Sequence, residues 1–148
     1  MAKVFFISDL HFGDSNIIKF ENRPFKNVDE MNNQLIENWN SVVSSMDIVF
    51  VVGDFISDKA YFDILRRLKG QIKLIVGNHD IPLLSEYRNY ANVEVIEYPI
   101  ILENFWIVSH EPMYISEQMP YVNIFGHIHN NPMYKTVSNR SYCVCVER

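Results

Sequence analysis

Cysteine is scarce in this chain of 148 residues: it has two, Cys143 and Cys145. That excludes a scaffold stapled by disulfides, and a zinc site built on thiolates needs more than two of them. Two positions apart in a strand-like tail, the two thiols point to one face, and a bridge between them would close too small a loop to be comfortable. They read as small apolar residues on a buried strand face. Long hydrophobic runs are also missing; none approaches the ~20 residues of a membrane span. The opening stretch, Lys3 to Ile7, turns polar at Ser8-Asp9 too soon for a secretory signal, so the cytoplasm is the expected compartment and a membrane partner is not expected. A basic surplus is absent too. Lys and Arg number 13 against 18 Asp and Glu, a net charge of −5, which argues against a broad nucleic-acid-binding surface but not against a local cationic centre such as a bound metal. No repeat, low-complexity tract or linker interrupts the chain. With 48% apolar and 21% charged residues, it reads as one globular domain over residues 1–148 with one sizeable core.

The patterning divides the chain into two halves. In the first, strands are expected at Lys3 to Ile7, Ile48 to Val52 and Ile72 to Val76. A short helix falls within Asn16 to Phe25, cut off by Arg23-Pro24. Asn27 is placed as an N-cap with Asp29 and Glu30 in the first turn. Met31, Leu35, Trp39, Val42, Val43 and Met46 then recur at helical steps over about five turns. A further helix is expected from Asp58 to Lys69, with Tyr61, Phe62, Leu65 and Leu68 inward and Gly70 just past its end. This alternation is that of a parallel α/β half. The second half reads as short strands at Val93 to Ile96, Ile100 to Leu102, Phe105 to Ser109, Val122 to Phe125, Tyr134 to Val137 and Tyr142 to Val146. Turns are expected at Asn104 and Asn139, with a short helical stretch around Leu83 to Tyr90. A mixed sheet, or two packed sheets with helices outside, follows from that order.

The chemistry collects where strands end. The first strand runs into Asp9-Leu10-His11 and the second into Gly53-Asp54. The third ends in Gly77-Asn78-His79-Asp80, an apolar run closed by a glycine turn with three polar side chains behind it. Later strands end in Ser109-His110 and Gly126-His127-Ile128-His129. All five histidines of the chain lie in these segments. Carboxyl ends of parallel strands share one edge, where open α/β sheets bind ligands. Separate structural roles for five such histidines are far less economical than one site. The donors are oxygen and nitrogen without thiolate, a set suited to Mn, Fe, Zn, Ni or Co. Asp9, His11, Asp54, Asn78, His110, His127 and His129 are too many for one ion with an open position. They suit two divalent ions bridged by one carboxylate, a pair ~3.5–4 Å apart that lowers the pKa of a shared water and clamps both oxygens of a displacement at phosphorus.

These motifs, in this order from residue 9 to residue 129, resemble the calcineurin-like metallophosphoesterase superfamily. Ser8-Asp9-Leu10-His11-Phe12-Gly13, Asn16-Ile17-Ile18 and Arg23-Pro24-Phe25 are similar to its small single-domain bacterial and phage members. The resemblance implies a four-layer α-β-β-α sandwich with two mixed β-sheets flanked by helices. It implies that Asp9, His11, Asp54 and His129 hold one metal, that Asp54 bridges, and that Asn78, His110 and His127 complete the second site. Manganese stands first among the candidate ions. A metal-bridging hydroxide would attack phosphorus, with His79 as the catalytic residue that protonates the leaving oxygen or stabilises charge. Asp80 would orient the loop rather than bind metal.

The pattern departs from the family at two places. Asp14 stands where small relatives often carry His, setting a negative charge beside the expected phosphate position. Ser57 stands where some branches place an Asp paired with the catalytic His, with Asp58 one residue further, so the partner of His79 is open. Arg23 is the one early cation considered as a phosphate contact, though a salt-bridge role competes. The expected activity is a dinuclear-metal-dependent phosphoesterase acting on a small phosphoester or nucleotide. Diesters are favoured over monoesters because no set of arginines is evident to hold a dianion. Nucleic acid enters only as a substrate. The competing reading is a non-catalytic metal-binding or protein-interaction module on the same fold, which tends to lack one or more of these residues; all eight are present here.

Overall fold

Strands β1 (Val4–Ile7), β2 (Ile48–Val52), β3 (Gln71–Ile75) and β4 (Val93–Ile96) form one four-stranded sheet in that order, every neighbour parallel. The second sheet runs β5 (Ile100–Leu102), β6 (Trp106–Ser109), β7 (Val122–Phe125), β8 (Ser141–Cys143). Its first pair is antiparallel and the other two are parallel. The computed structural model describes residues 1–134 and 138–148. The architecture is two four-stranded sheets flanked by helices, and only the second sheet is mixed. The strand at Val93 to Ile96, grouped by sequence with the second half, closes the parallel sheet instead: Ile72 sits opposite Val93. Of the expected strand from Tyr134 to Val137, residues 135–137 lie outside the described residues, and Tyr134 ends a 3-10 turn, Pro132–Tyr134.

The alternation of β2 places the sheet between two cores. Val49 and Val51 face a helix-side cluster with Met31, Leu35, Ile36 and Trp39, while Phe50 and Val52 face Val108 and Ile124 of the second sheet. Helix α1 (Ser15–Phe20) starts at Asp14, whose carboxylate accepts from Asn16 N at 2.8 Å. Helix α2 (Val28–Val42) starts at Asn27, whose Oδ1 accepts from Glu30 N at 2.9 Å. α2 is shorter than its apolar periodicity suggests. Asp47 accepts from Ser44 N at 2.7 Å and closes a turn that takes Met46 out to solvent, 71% exposed. The Lys59–Arg66 segment is a 3-10 helix capped by Asp58 rather than an α-helix, with Phe62, Leu65 and Leu68 still buried. Ile81–Leu83 forms a 3-10 turn that continues into α3 (Leu84–Tyr87).

Just past β1, at Ser8, the chain also bonds to the segment that follows β8. Ser8 N donates to Val144 O at 2.9 Å, and Val146 N donates to Ser8 O at 3.1 Å. This seam aligns the carboxyl ends of β1, β2 and β3 with those of β6 and β7. The polar segments of both halves therefore meet on one edge.

Candidate metal centre

The Asp9–His11 and Gly53–Phe55 loops run in step. Asp9 N donates to Gly53 O at 3.0 Å, His11 N to Asp54 O at 3.0 Å and Phe12 N to Phe55 O at 2.9 Å. Asp80 organises the next loop. Fully buried, it accepts from Asp54 N at 2.8 Å, Phe55 N at 3.0 Å, Gly77 N at 2.9 Å and the Tyr87 hydroxyl at 2.8 Å. Gly77 is required here for close approach rather than for an unusual φ, since a Cβ would lie 2.6 Å from Asp54 N. Gly126 has the same role, its Cβ position lying 2.6 Å from Asp9 Oδ2.

These loops gather six of the seven residues expected as ligands into two groups, Asp9–His11–His129 and Asp54–His110–His127. In the first, His129 Nε2 lies 3.4 Å and His11 Nε2 3.9 Å from Asp9 Oδ1. In the second, His110 Nε2 lies 3.4 Å from Asp54 Oδ2 and 3.2 Å from His127 Nδ1. Asn78 Oδ1 joins it at 3.1 Å from both imidazoles. Asp54 Oδ2 is also 3.7 Å from His11 Nε2, so this carboxylate stands between the groups.

The donor set fits metal ions. Asp9 Oδ2 is satisfied by His127 N at 2.8 Å and the Cys145 thiol at 3.2 Å. Its other oxygen and His11 Nε2, 3.9 Å apart, are buried with no hydrogen-bond partner among the described residues. Orphaned buried atoms of this kind are costly unless something binds them. Burial lowers the His11 pKa to about 4, so its imidazole is neutral and its lone pair available. Burial works against a charge on His110 as well, but the Asp54 carboxylate outweighs it and raises that pKa to about 9. Burial likewise opposes a charge on His129, and Glu147 and Asp9 raise its pKa against it.

His79 sits exposed at the rim, its backbone N donating to Asp54 Oδ1 at 3.0 Å and its ring 5.2 Å from the His11 ring. Ser57 stands elsewhere: its Oγ lies 3.2 Å from His11 Nδ1, a contact that orients that ring. Asp58 caps the following 3-10 helix instead. Asp14 is likewise engaged as a helix cap. Arg23, considered as a phosphate contact, is buried and bonded within the fold. Its guanidinium donates to Leu10 O, to Asp9 O and to Glu147. Glu147 went unremarked in the sequence because nothing local marks it. Its Oε1 lies 3.1 Å from His129 Nδ1, from a position 18 residues away. Cys143 and Cys145 are unbridged, with Cys145 buried and Cys143 half-buried.

A sequence model of the calcineurin-like phosphoesterase family matches residues 2–144, nearly the whole chain. An uncharacterised protein of Methanocaldococcus jannaschii is 51% identical over 84 residues, covering 54% of this chain and 48% of that protein. The Gene 66 proteins of Mycobacterium phages L5 and D29 are 33% and 37% identical over 87 residues, covering 55% of this chain and 42% of each of theirs. The matched region thus spans about half the length or less of these relatives. Among solved structures, a protein of unknown function from Aquifex aeolicus superposes with a TM-score of 0.73 at 25% identity, covering 97% of this chain and 90% of that one.

Proposed function

We propose that this chain, which belongs to the calcineurin-like phosphoesterase family, hydrolyses phosphodiesters with two divalent metal ions, manganese first among the candidates. The observation that carries the reading is the position of Asp54. Its Oδ2 stands 3.7 Å from His11 Nε2 and 3.4 Å from His110 Nε2, one carboxylate oxygen shared by two ligand groups. Asp9, His11 and His129 would hold one ion, and Asn78, His110 and His127 the other, with Asp54 common to both. Such a pair supplies Lewis acidity toward phosphoryl oxygens and a water of lowered pKa.

The chain's own residues supply the rest. Asp9, His11 and His110 form a buried floor in which charge interactions gain strength. Asp80 fixes the Asp54 and Asn78 loops relative to each other. His79 stands exposed at the rim, from where a ring nitrogen can deliver a proton to the leaving oxygen. Two clefts flank the centre. One, of about 630 Å³, is bordered by Asn78, His110, Ile81, Tyr98 and Met113; the other, of about 470 Å³, by Glu21, Glu111, His127 and His129. Neither lining holds Lys or Arg among the described residues. That supports a singly charged diester with uncharged arms over a dianionic monoester.

The test is a hydrolysis panel of mono-, di- and cyclic phosphoesters and nucleic acids with Mn, Ni and Zn, together with metal analysis. Diester turnover with close to two ions per chain is expected, and a protein that takes up no metal under replete conditions sinks the reading. His79→Ala should retain the ions and lose about 100-fold or more in kcat. Unchanged turnover would remove His79 from the reaction.

A further inference from the structure

Arg23 and Glu147 form a nearly buried ion pair between residues 124 positions apart, their side chains 4% and 9% exposed. The guanidinium donates to Glu147 Oε1 through Nε at 2.9 Å and Nη2 at 2.5 Å. It also holds two consecutive backbone carbonyls, Asp9 O at 2.6 Å and Leu10 O at 2.8 Å. These carbonyls lie in the loop whose Asp9 and His11 have φ of 59° and 51°, backbone that L-residues adopt only when surrounding contacts impose it. The same Glu147 oxygen faces His129 Nδ1 at 3.1 Å. With the Nδ1 proton directed at the carboxylate, Nε2 is left as the lone-pair nitrogen, and it is Nε2 that lies 3.4 Å from Asp9 Oδ1. Arg148 Nε adds a hold on the His129 backbone, donating to its carbonyl at 2.7 Å.

We propose that the Arg23–Glu147 pair is the positioning device of the Asp9–His11–His129 site, tying a loop of the first sheet to a histidine of the second. Glu147 orients the ring of His129, and Arg23 fixes both Glu147 and the Asp9–Leu10 backbone. Among the described residues, Arg23 and Glu147 make no hydrogen bond to the second group, Asp54–His110–His127 with Asn78; its anchors are Asp80, Val52 O, 2.8 Å from His110 Nδ1, and the loop of Asp9, whose Oδ2 accepts from His127 N. Glu147 therefore acts directly on one metal site, and the pair reaches the other only indirectly, through the loop of Asp9, whose Oδ2 accepts from His127 N. The inference rests on the two-metal reading, and its test separates the two.

Mn²⁺ is titrated calorimetrically into metal-free wild type, Glu147→Gln, Glu147→Ala and Arg23→Lys. Wild type is expected to show two binding events. Glu147→Gln, which keeps an acceptor for His129 but not the charge, should weaken one event about 10-fold, and Glu147→Ala about 100-fold. The other event should stay within about threefold of wild type. Saturating Mn²⁺ should restore kcat to Glu147→Gln, since the residue positions a ligand and touches no substrate. Circular dichroism of the metal-free variants reports their folding. Should Arg23→Lys fail to fold, the isosteric Glu147→Gln carries the test. Two wild-type events left unchanged in the Glu147 variants, or both weakened equally, overturn the positioning role alone. A wild type that binds no Mn²⁺ overturns the two-metal reading and this inference with it.

Discussion

Five of the seven grouped side chains hang from left-handed backbone: Asp9, His11, Asp54, His127 and His129 have φ between 47° and 69°. Each such residue costs on the order of 1–2 kcal/mol relative to ordinary backbone. Their stability has to come from the contacts that over-determine the loops, and Asp80 is the densest of these. Both of its oxygens accept two hydrogen bonds, Oδ2 from Asp54 N and Gly77 N, Oδ1 from Phe55 N and the Tyr87 hydroxyl. Asp80→Asn should therefore lose about 2–3 kcal/mol in urea unfolding, because either orientation of the amide turns its NH₂ toward two donors. A loss below about 0.5 kcal/mol would show that the loops do not depend on this carboxylate. The types of these residues were legible in the sequence, since three chemistry-bearing side chains behind one glycine are unusual in a plain turn. Their pairings were not. Ser57, at the position where some branches of the family carry the Asp paired with the catalytic His, stands against His11, and Glu147 reaches His129 from a segment that carries no motif. Such pairings depend on how distant loops are set side by side, and local spacing holds no record of that.

Local pattern did better for whole elements, and its misses have physical causes. β2, β4, β5 and β7 fall where their apolar runs place them. The hairpin of β5 and β6 turns at Glu103-Asn104, both at φ 54°, the left-handed pair that Asn tolerates well. The helix expected from Asp58 to Lys69 is a 3-10 helix over Lys59–Arg66. Its buried Phe62 and Leu65 lie three apart, a spacing that fits a 3-10 turn and an α-helical face alike, so the apolar pattern alone does not separate the two. The early end of α2 has a side-chain cause: Asp47 accepts from Ser44 N and from Lys3 N, both at 2.7 Å, and pins the start of β1 to the turn before β2. The Lys3 and Ser44 amides hold the Asp47 carboxyl below its usual 3.8. A depressed carboxylate stabilises the fold above its unfolded-state pKa, and that contribution fades as pH falls through the folded-state value. Asp47→Asn should accordingly unfold at lower urea than wild type at pH 7. The gap should hold down to about pH 5 and narrow below pH 3.8. Urea midpoints for both proteins at pH 7, 5 and 3 check this, and a gap that widens toward acid contradicts it.

At the scale of the molecule, the ligand groups are a seam between sheets. Asp9, His11, Asp54 and Asn78 follow strands of the parallel sheet, whereas His110, His127 and His129 follow strands of the mixed one. Each group takes members from both. Between the sheets, the fully apolar contact is a modest cluster around Phe50, Val52, Ile75, Val108 and Ile124. Metal at the edge would act as a cross-link that the unfolded chain lacks, and ligand held only by the native state stabilises it by mass action. Metal at about 1,000 times its dissociation constant is worth about 4 kcal/mol per site. For a chain of this size that corresponds to a rise in Tm of roughly 10 °C for each site, about 20 °C for the two together. Scanning calorimetry of metal-free protein against protein with excess Mn²⁺ should show this rise, and chelator should reverse it. Replacing His110 by Ala, which deletes a candidate ligand from the mixed sheet alone, should remove a large part of the rise and leave the rest to the other group. If the metal shift survives that substitution undiminished, the ions do not join the sheets. The groups would then be a local feature of one loop set, and the edge where both halves converge would owe its stability to packing alone.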